Sequence, residues 1–264
     1  MKPDAHLAHQ DWLRPDWNAA AHVGALMTTR HGGVSETPFD SLNLGAAVGD
    51  APGAVAQNRH LLERVIGARP VFLEQVHGAG VVRLTRADAE PGAAPYRADA
   101  SVTTEPGVAC AVRAADCLPV LFAAPLGRAV GAAHAGWRGL ALGVLEATVA
   151  AVCAAARCEP HELQAWLGAC IGPTAFEVGP DVLDAFGVAP AGPGSRRFIA
   201  AAPGKWRADL PGLARDRLEA AGVRSVTGGQ WCTATDSSRF FSFRREGRTG
   251  RMAALVWIEA DARG

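Results

Sequence analysis

The 264-residue sequence has no excess of charge of either sign. Lysine and arginine together number 26, as do aspartate and glutamate, so the formal net charge is zero. That excludes the basic surplus with which a nucleic-acid-binding domain neutralises a phosphate backbone, and leaves room only for a local basic pocket. No apolar run approaches the roughly 20 residues of a membrane span, so no membrane partner is expected. The first residues, MKPDAHLAHQDWLRPDW, carry Asp4, Asp11, Arg14 and Asp16 and no signal-peptide core. A cytoplasmic location follows as an expectation. There is no CxxC, HExxH, GxSxG, GxGxxG or P-loop motif, which removes the zinc, hydrolase and nucleotide chemistries those motifs carry. Long linkers, fixed-period repeats and low-complexity segments are also lacking, and the length allows one large domain or two small ones; one domain over residues 1–264 is expected, as a monomer.

Hydrophobic residues make up 49% of the chain, enough for a large core. The six cysteines, at 110, 117, 153, 158, 170 and 232, read as thiols in a cytosolic setting. Short apolar β-rich runs recur at 23–28, 71–76, 80–84, 108–113, 118–123, 129–133, 165–171, 223–227, 239–245 and 252–258, most bounded by Gly, Pro or Asp. Helical patterns occupy 54–66, 140–156, 180–186 and 209–221. The 140–156 stretch is apolar nearly all round, which predicts a helix buried between layers. Asp209 is placed to cap the last helix, with Pro211 in its first turn. GVAPAGPGSRRF, 187–198, reads as an exposed loop. Strands outnumber helices and do not strictly alternate with them. The expected class is therefore α+β, with layered mixed β-sheets flanked by helices, rather than a doubly wound parallel sheet.

Three segments place a metal-binding side chain at a strand end. LEQVHGAG carries His77, RAADCLPVLF carries Cys117 and VGAAHAGWRG carries His134. Between Cys117 and His134 there is chain enough for one strand out and one back. His77 has to come from another hairpin, and nothing local brings it to the other two. If the three converge, two imidazole nitrogens and one thiolate suit Zn2+, and three ligands with an open fourth position form the catalytic pattern. Two hydrogen-bonded histidines beside a buried cysteine remain the alternative. Asp116, next to Cys117, would face the opposite side of a strand and suits orienting backbone or a neighbouring group. Arg138 suits bidentate binding of phosphate or carboxylate, or lies solvated near a helix start. Trp137 either stacks on a flat substrate or, the preferred reading, wedges into the core.

A second cluster is the loop MTTRHGGVSETPFDSLNLG, 27–45, with Arg30, His31 and Asn43. Polar, glycine-bearing loops of this length often carry function, and an irregular surface loop is the plain alternative. His31, beside Arg30, is disfavoured as a cation ligand. Arginines 239, 244, 245, 248 and 251 fit solvated edges and cross-strand charge pairs.

TTRHGGVS, SLNLG, EQVHG, ADC, HAGWRG, IGP, FEVG, FFSFRR and TGRMAALVW follow one another across residues 28–257. On this series the chain resembles the YfiH family, also described as the laccase-domain, multicopper polyphenol oxidase or peptidoglycan editing factor family. The resemblance implies an α+β domain of layered sheets and helices. It implies a metal held by the histidine of VHG, the cysteine of ADC and the histidine of HAGWRG, here His77, Cys117 and His134. Zn2+ is the implied ion, and Cu2+ also suits the ligands. The implied activity is purine nucleoside phosphorolysis, with phosphate, of adenosine, inosine, guanosine and methylthioadenosine. Adenosine deamination, copper-dependent phenol oxidation and a role in peptidoglycan composition are also credited to the family. The sequence departs from it in places. Thr174 and Ala175 stand where some relatives carry cysteine, and Ala169-Cys170 replaces Pro-Ala, which makes Cys170 a core thiol. Arg113 stands where a small or apolar residue is expected.

A laccase needs several copper centres. Only eight histidines are present, and Met1, Met27 and Met252 are far in sequence from the trio, so phenol oxidation is the weakest reading. Deamination needs a carboxylate beside a metal-bound hydroxide, for which Asp116 and Glu74 are near, though without the H-x-E spacing. Phosphorolysis needs cations for phosphate and a flat surface for the purine. Arg30, Arg138 and Asn43 are read as serving phosphate or ribose, and Trp137 or Phe39 the purine. The expected catalytic set is Cys117, Arg30, Asn43, Asp116 and Arg138. A metal-free cysteine hydrolase acting on a peptidoglycan precursor, with Cys117 as nucleophile and His134 as base, is the competing reading, and a partner-binding domain is the third.

Overall fold

The structure, a computed structural model, describes residues 11–189 and 195–260. A four-stranded sheet has the order β1 (Val23–Met27), β13 (Met252–Ile258), β5 (Val108–Ala114), β2 (Arg69–Phe72). A six-stranded sheet has the order β12 (Ser225–Gly228), β8 (Gln164–Leu167), β6 (Leu118–Ala123), β7 (Val130–Ala135), β4 (Ala100–Thr103), β3 (Val81–Leu84).

Strand β13 shows how the layers form, because its side chains alternate between two faces. Met252, Ala254, Val256 and Ile258 pack between the two sheets with Leu121, Val130 and Trp166. Ala253, Leu255 and Trp257 face the other way, onto Leu62 and Ile66 of helix α1 (Pro52–Ile66). Beyond the six-stranded sheet, Leu118, Val120 and Phe122 of β6 join Val144, Leu145 and Val152 of helix α3 (Val144–Ala156) and Leu218 of helix α5 (Leu210–Ala220). The layers run helix, sheet, sheet, helix. Every residue of β6 and β13 is buried, because both faces of each sheet are covered. β2–β5, β3–β4 and β12–β8 pair in parallel, while β6–β7, β6–β8, β1–β13 and β13–β5 are antiparallel. The sheets are mixed, as an α+β class requires.

The 140–156 stretch is not one buried helix. Short α2 (Trp137–Ala141) ends at Leu142, Gly143 takes a left-handed φ of 91°, and α3 starts at Val144. One face of α3 is buried, while Ala150 and Ala154 are exposed. Its composition hides this amphipathicity because alanine serves at surface and core alike. The expected strand at 239–245 is also absent. Ser242 Oγ accepts from Arg245 N and caps helix α6 (Phe243–Glu246). Phe240 and Phe241, adjacent in sequence, are both buried, which strand alternation cannot produce. A small sheet of β10 (Phe198–Ala202), β11 (Lys205–Ala208) and β9 (Glu177–Val178) carries too little apolar alternation to be read from sequence. Asp209 caps α5 as expected, accepting from Gly212 N at 2.9 Å. Asp4, Met1 and the middle of the 187–198 loop lie outside the described residues. No helix among the described residues is long and apolar enough to cross a membrane, and the six cysteines are free thiols.

Candidate metal centre

Strand β6 begins where β7 ends. Pro119 pairs with His134 in register, so Cys117, just before β6, lies beside the end of β7. His77 arrives not from a hairpin but from the crossover between β2 of one sheet and β3 of the other. The donor atoms of His77, Cys117 and His134 all lie within 4.8 Å of one another. Cys117 Sγ is 3.9 Å from His77 Nε2, and the two imidazole rings meet edge to face with centroids 4.9 Å apart. A tetrahedral Zn2+ with bonds of about 2.0–2.3 Å sets its ligand atoms about 3.3–3.7 Å apart, so small side-chain rotations close this set around an ion. His134 is buried, Cys117 half-buried and His77 exposed, which leaves one side of the trio open.

Asp99, which sequence reasoning does not single out, organises the trio. Its side chain is fully buried. Oδ1 accepts from His134 Nδ1 at 2.8 Å and from His77 N at 2.9 Å. Oδ2 accepts from Gly78 N at 2.7 Å and Val76 N at 3.1 Å. Three consecutive backbone N–H groups thus hold the loop in which His77 adopts a left-handed φ of 61°, a conformation unusual for a residue with a side chain. The bond to Nδ1 fixes the tautomer of His134 and turns Nε2 toward Cys117. A lone aspartate in YRADAS gives no sequence signal of this role.

Burial alone would push the Cys117 thiol up, but His134 and His77 overcome it and bring it down to about 6. Burial likewise disfavours protonation of His134, yet Cys117 and Asp99 raise it to about 9. The charges therefore favour a thiolate at Cys117 beside an imidazolium at His134, and the three donor atoms form a group that could hold a metal ion.

The two glycines of HAGWRG are needed for space. A Cβ at Gly136 would lie 2.9 Å from Cys117 Sγ and 3.2 Å from His77 Cδ2, and one at Gly139 would lie 2.8 Å from Gly78 O. Gly136 has an ordinary extended backbone, φ −63° and ψ 160°, so its freedom to turn is not what the site uses.

Two cavities meet at His77, Cys117 and Phe243. One, of 310 Å³, is lined by Trp137, Arg138, Phe176 and Arg244. Arg138 is exposed there and stacks on Trp137 at 4.2 Å, and Arg244 lies over Phe176 at 5.5 Å. Trp137 also packs against the helix-side core, so both readings of it hold. The other cavity, of 430 Å³, is lined by Gly45, Glu74, Gln75, Arg113 and Arg251.

Of the remaining expected residues, Asp116 lines the first cavity, and Asn43 and Arg30 stand behind the walls. Asn43 is fully buried, and its Oδ1 accepts from Gly45 N and Arg251 N, both at 2.9 Å. Arg30 donates to Asp40 O, Ser237 O and Glu246 Oε1 and stacks on Phe241; it lines neither cavity. Asp116 is not in a strand but at a bend with φ 92°. Its carboxylate accepts from Thr233 Oγ1 and Arg244 N, each at 2.6 Å. Phe39 is buried under Arg248, His31 bonds Ser238 O, and Cys170 is a core thiol. In the sequence Phe243, Arg244 and Arg251 show only as parts of a charged strand or its flank; a helix turn and loops bring them to the site.

A family model described as multi-copper polyphenol oxidoreductase laccase matches residues 24–259. A purine nucleoside phosphorylase of Pseudomonas aeruginosa is 53% identical, over 94% of this chain and 98% of that protein. The purine nucleoside phosphorylase YfiH of Escherichia coli is 50% identical, over 92% and 97% respectively. Among solved structures, a Neisseria meningitidis protein of the DUF152 family superposes with a TM-score of 0.87 at 48% identity, covering 95% of this chain and all of that one. YlmD from Geobacillus stearothermophilus reaches a TM-score of 0.87 at 36% identity, over 94% of this chain and 96% of its own. Sequence and fold agree, and the chain belongs to the multi-copper polyphenol oxidoreductase laccase family, the family of YfiH.

Proposed function

We propose that the chain is a zinc-dependent purine nucleoside phosphorylase, one catalytic domain that takes adenosine, inosine, guanosine and methylthioadenosine together with inorganic phosphate, and that deaminates adenosine as a side reaction. The observation that carries this reading is an open His–Cys–His centre where an aromatic cavity and a cationic cavity meet. The names of the relatives support it.

The donor set of His77, Cys117 and His134 fits Zn2+, which when bound supplies Lewis acidity and a lowered pKa for coordinated water. The other tasks belong to the chain's own residues. The purine lies flat in the cavity of Trp137, Phe176 and Phe243, where ring faces give stacking area and Arg138 is free to bond the substrate. Asn43 positions Gly45 and Arg251 in the second cavity. Asp116 positions Arg244 through its backbone N–H, and Arg30 acts through Glu246 on the helix turn that carries Phe243. Cys117 serves as thiolate ligand. For deamination Glu74 and Asp116 each line a cavity at the trio, and Glu74 is the less committed carboxylate, with an ion pair to exposed Arg97 where both oxygens of Asp116 accept hydrogen bonds.

Among the described residues no thioether stands at the trio to serve as the axial ligand of a blue-copper site. Met27 Sδ accepts from Ala169 N and Met252 Sδ from Phe241 N, both in the core between the sheets. A second reading has one observation in its favour. The Cys117–His134 pair, a low-pKa thiol beside a base oriented by Asp99, is also the arrangement of a metal-free cysteine hydrolase. Metal analysis separates the two. One zinc per chain, lost in Cys117→Ala, supports the phosphorylase, and a fully active protein without metal supports the hydrolase. The direct test supplies adenosine to the zinc-loaded protein with and without phosphate. Adenine and ribose 1-phosphate are expected only with phosphate, and their absence refutes the reading.

A further inference from the structure

The 430 Å³ cavity holds positive charge that the metal trio does not explain. Arg113 and Arg251 line it, and Arg59 stands beside them. The Phe72 ring carries the guanidinium of Arg59 at 4.6 Å and that of Arg113 at 5.7 Å. All three donate to backbone carbonyls: Arg59 to Leu44 O, Arg113 Nη2 to Leu73 O, Arg251 Nη1 to Thr249 O and Gly250 O. None takes part in an ion pair among the described residues. Glu74, the one acid lining the cavity, pairs with Arg97 at 3.4 Å.

Arg113 is the least satisfied of the three. Its Nε–H is buried without an acceptor. Its backbone, by contrast, is held on both sides. Gln75 Oε1 accepts from Arg113 N and Gln75 Nε2 donates to Arg113 O, each at 2.9 Å. Burial, and then the charges of Arg59 and Arg251, push the Arg113 guanidinium down to about 10, so this group is short of negative charge. A buried, unpaired donor on a cation is costly. An oxyanion in the cavity would relieve the repulsion among the three cations, and a turn of the Arg113 guanidinium toward it would give the Nε–H an acceptor.

We propose that Arg113 and Arg251 form the subsite for inorganic phosphate in this cavity. The inference rests on the phosphorylase reading for its role and deepens it. It assigns the attacking phosphate to Arg113 rather than to Arg30, whose donors are committed elsewhere. In the reaction a phosphate oxygen forms a bond to C1′ of the ribose and the C1′–N9 bond breaks. The electron pair leaves with N9, which takes up a proton, and the products are the free purine and ribose 1-phosphate. The guanidinium fork of Arg113 suits two oxygens of one phosphate.

The test combines steady-state kinetics of the zinc-loaded protein, varying phosphate at saturating nucleoside, with calorimetric titration of inorganic phosphate in the absence of nucleoside. Arg113→Gln should raise both the KM and the Kd for phosphate about ten- to hundredfold, the loss expected of charge-assisted bonds. The KM for the nucleoside should move less than about threefold, and Tm should change little, because the lost hydrogen bond to Leu73 O is offset by relief of repulsion from Arg59 and Arg251. Arg113→Lys keeps the charge but not the fork, and should fall between the two. It also serves as the test should the Gln variant fold poorly. An unchanged phosphate Kd in these variants overturns the subsite. If the wild type cleaves nucleosides with a phosphate KM insensitive to Arg113, only the subsite fails. If it binds phosphate through Arg113 and cleaves no nucleoside, the subsite stands and the phosphorylase reading fails.

Discussion

Asp99→Asn removes a charge and an acceptor from a carboxylate that takes four hydrogen bonds, two on each oxygen. The amide keeps one oxygen and turns an NH2 group toward the other pair of donors, so two N–H groups lose their acceptor. At about 1–3 kcal/mol for each orphaned donor, the folded state should lose roughly 2–6 kcal/mol. A chain of this size shifts by about 2–4 °C per kcal/mol, so Tm should fall by at least about 4 °C. The same change frees the His134 ring and the His77 loop. Partners of this kind, one bond removed from a metal, are worth about 10–100-fold in affinity. The assay is zinc competition against a chromogenic chelator, run beside thermal unfolding of the metal-free protein at several pH values. Burial acts to raise the Asp99 pKa, but the hydrogen bonds from His134 and Gly78 lower it below the usual carboxylate range. A group depressed in this way stabilises the fold above its unfolded pKa, and that contribution is lost as pH falls through the folded value. The stability gap between wild type and variant should therefore narrow in acid. Zinc affinity within about threefold of wild type, with a gap that stays constant down to low pH, would refute the role given to Asp99.

Gly136→Ala places a methyl group 2.9 Å from Cys117 Sγ. Overpacking of this kind costs about 1–3 kcal/mol. Because His77 and Cys117 are the groups that must move, zinc affinity should drop more than thermal stability does, and equal losses in the two measurements would count against the close approach. In the metal-free protein, alkylation of Cys117 by iodoacetamide should rise with a midpoint near pH 6, the value to which the thiol is lowered, and saturating zinc should suppress it. The stability of the same metal-free protein should carry the matching sign. The Cys117 contribution is lost as pH falls through about 6 and the His134 contribution as pH rises through about 9, so pH-dependent unfolding should show its maximum between them. A midpoint above pH 8 for alkylation would remove the thiolate–imidazolium pair.

Much of the fold was legible because its cause is local. β13 reads as MAALVWI and β6 as LPVLFA, continuous apolar runs that only a sheet covered on both faces can bury. Asp209 and Pro211 announce the start of α5 by capping chemistry alone. The failures have equally local causes. Alanine concealed the exposed face of α3, and two adjacent phenylalanines imitated a strand that Ser242 converts to a helix turn.

The trio itself was named from sequence, since His77, Cys117 and His134 each sit at a strand end beside glycine or aspartate. Their convergence was not derivable from spacing, because His77 crosses from one sheet to the other. Of the other residues that the sequence singles out, Asp116 lines the cavity of Trp137 and Arg138, while Asn43 and Arg30 are bonded to the chain behind the cavity walls. Arg113 stands out in the sequence only as a departure from the family pattern, and its burial and missing acceptor belong to three dimensions.

Sequence by itself determined the layered α+β class and the apolar strands, because periodicity and capping are properties of short stretches, and it offered His77, Cys117 and His134 as donor side chains that the family resemblance, not their spacing, joins into one set. Tertiary structure alone decided that Asp99 joins His77 and His134, that Gly136 is required by Cys117, and that Arg113 and Arg251 line one cavity with Arg59 beside Arg113, none of the three in an ion pair among the described residues. These are relations between residues far apart in the chain, set by how two sheets stack, and no local pattern encodes them.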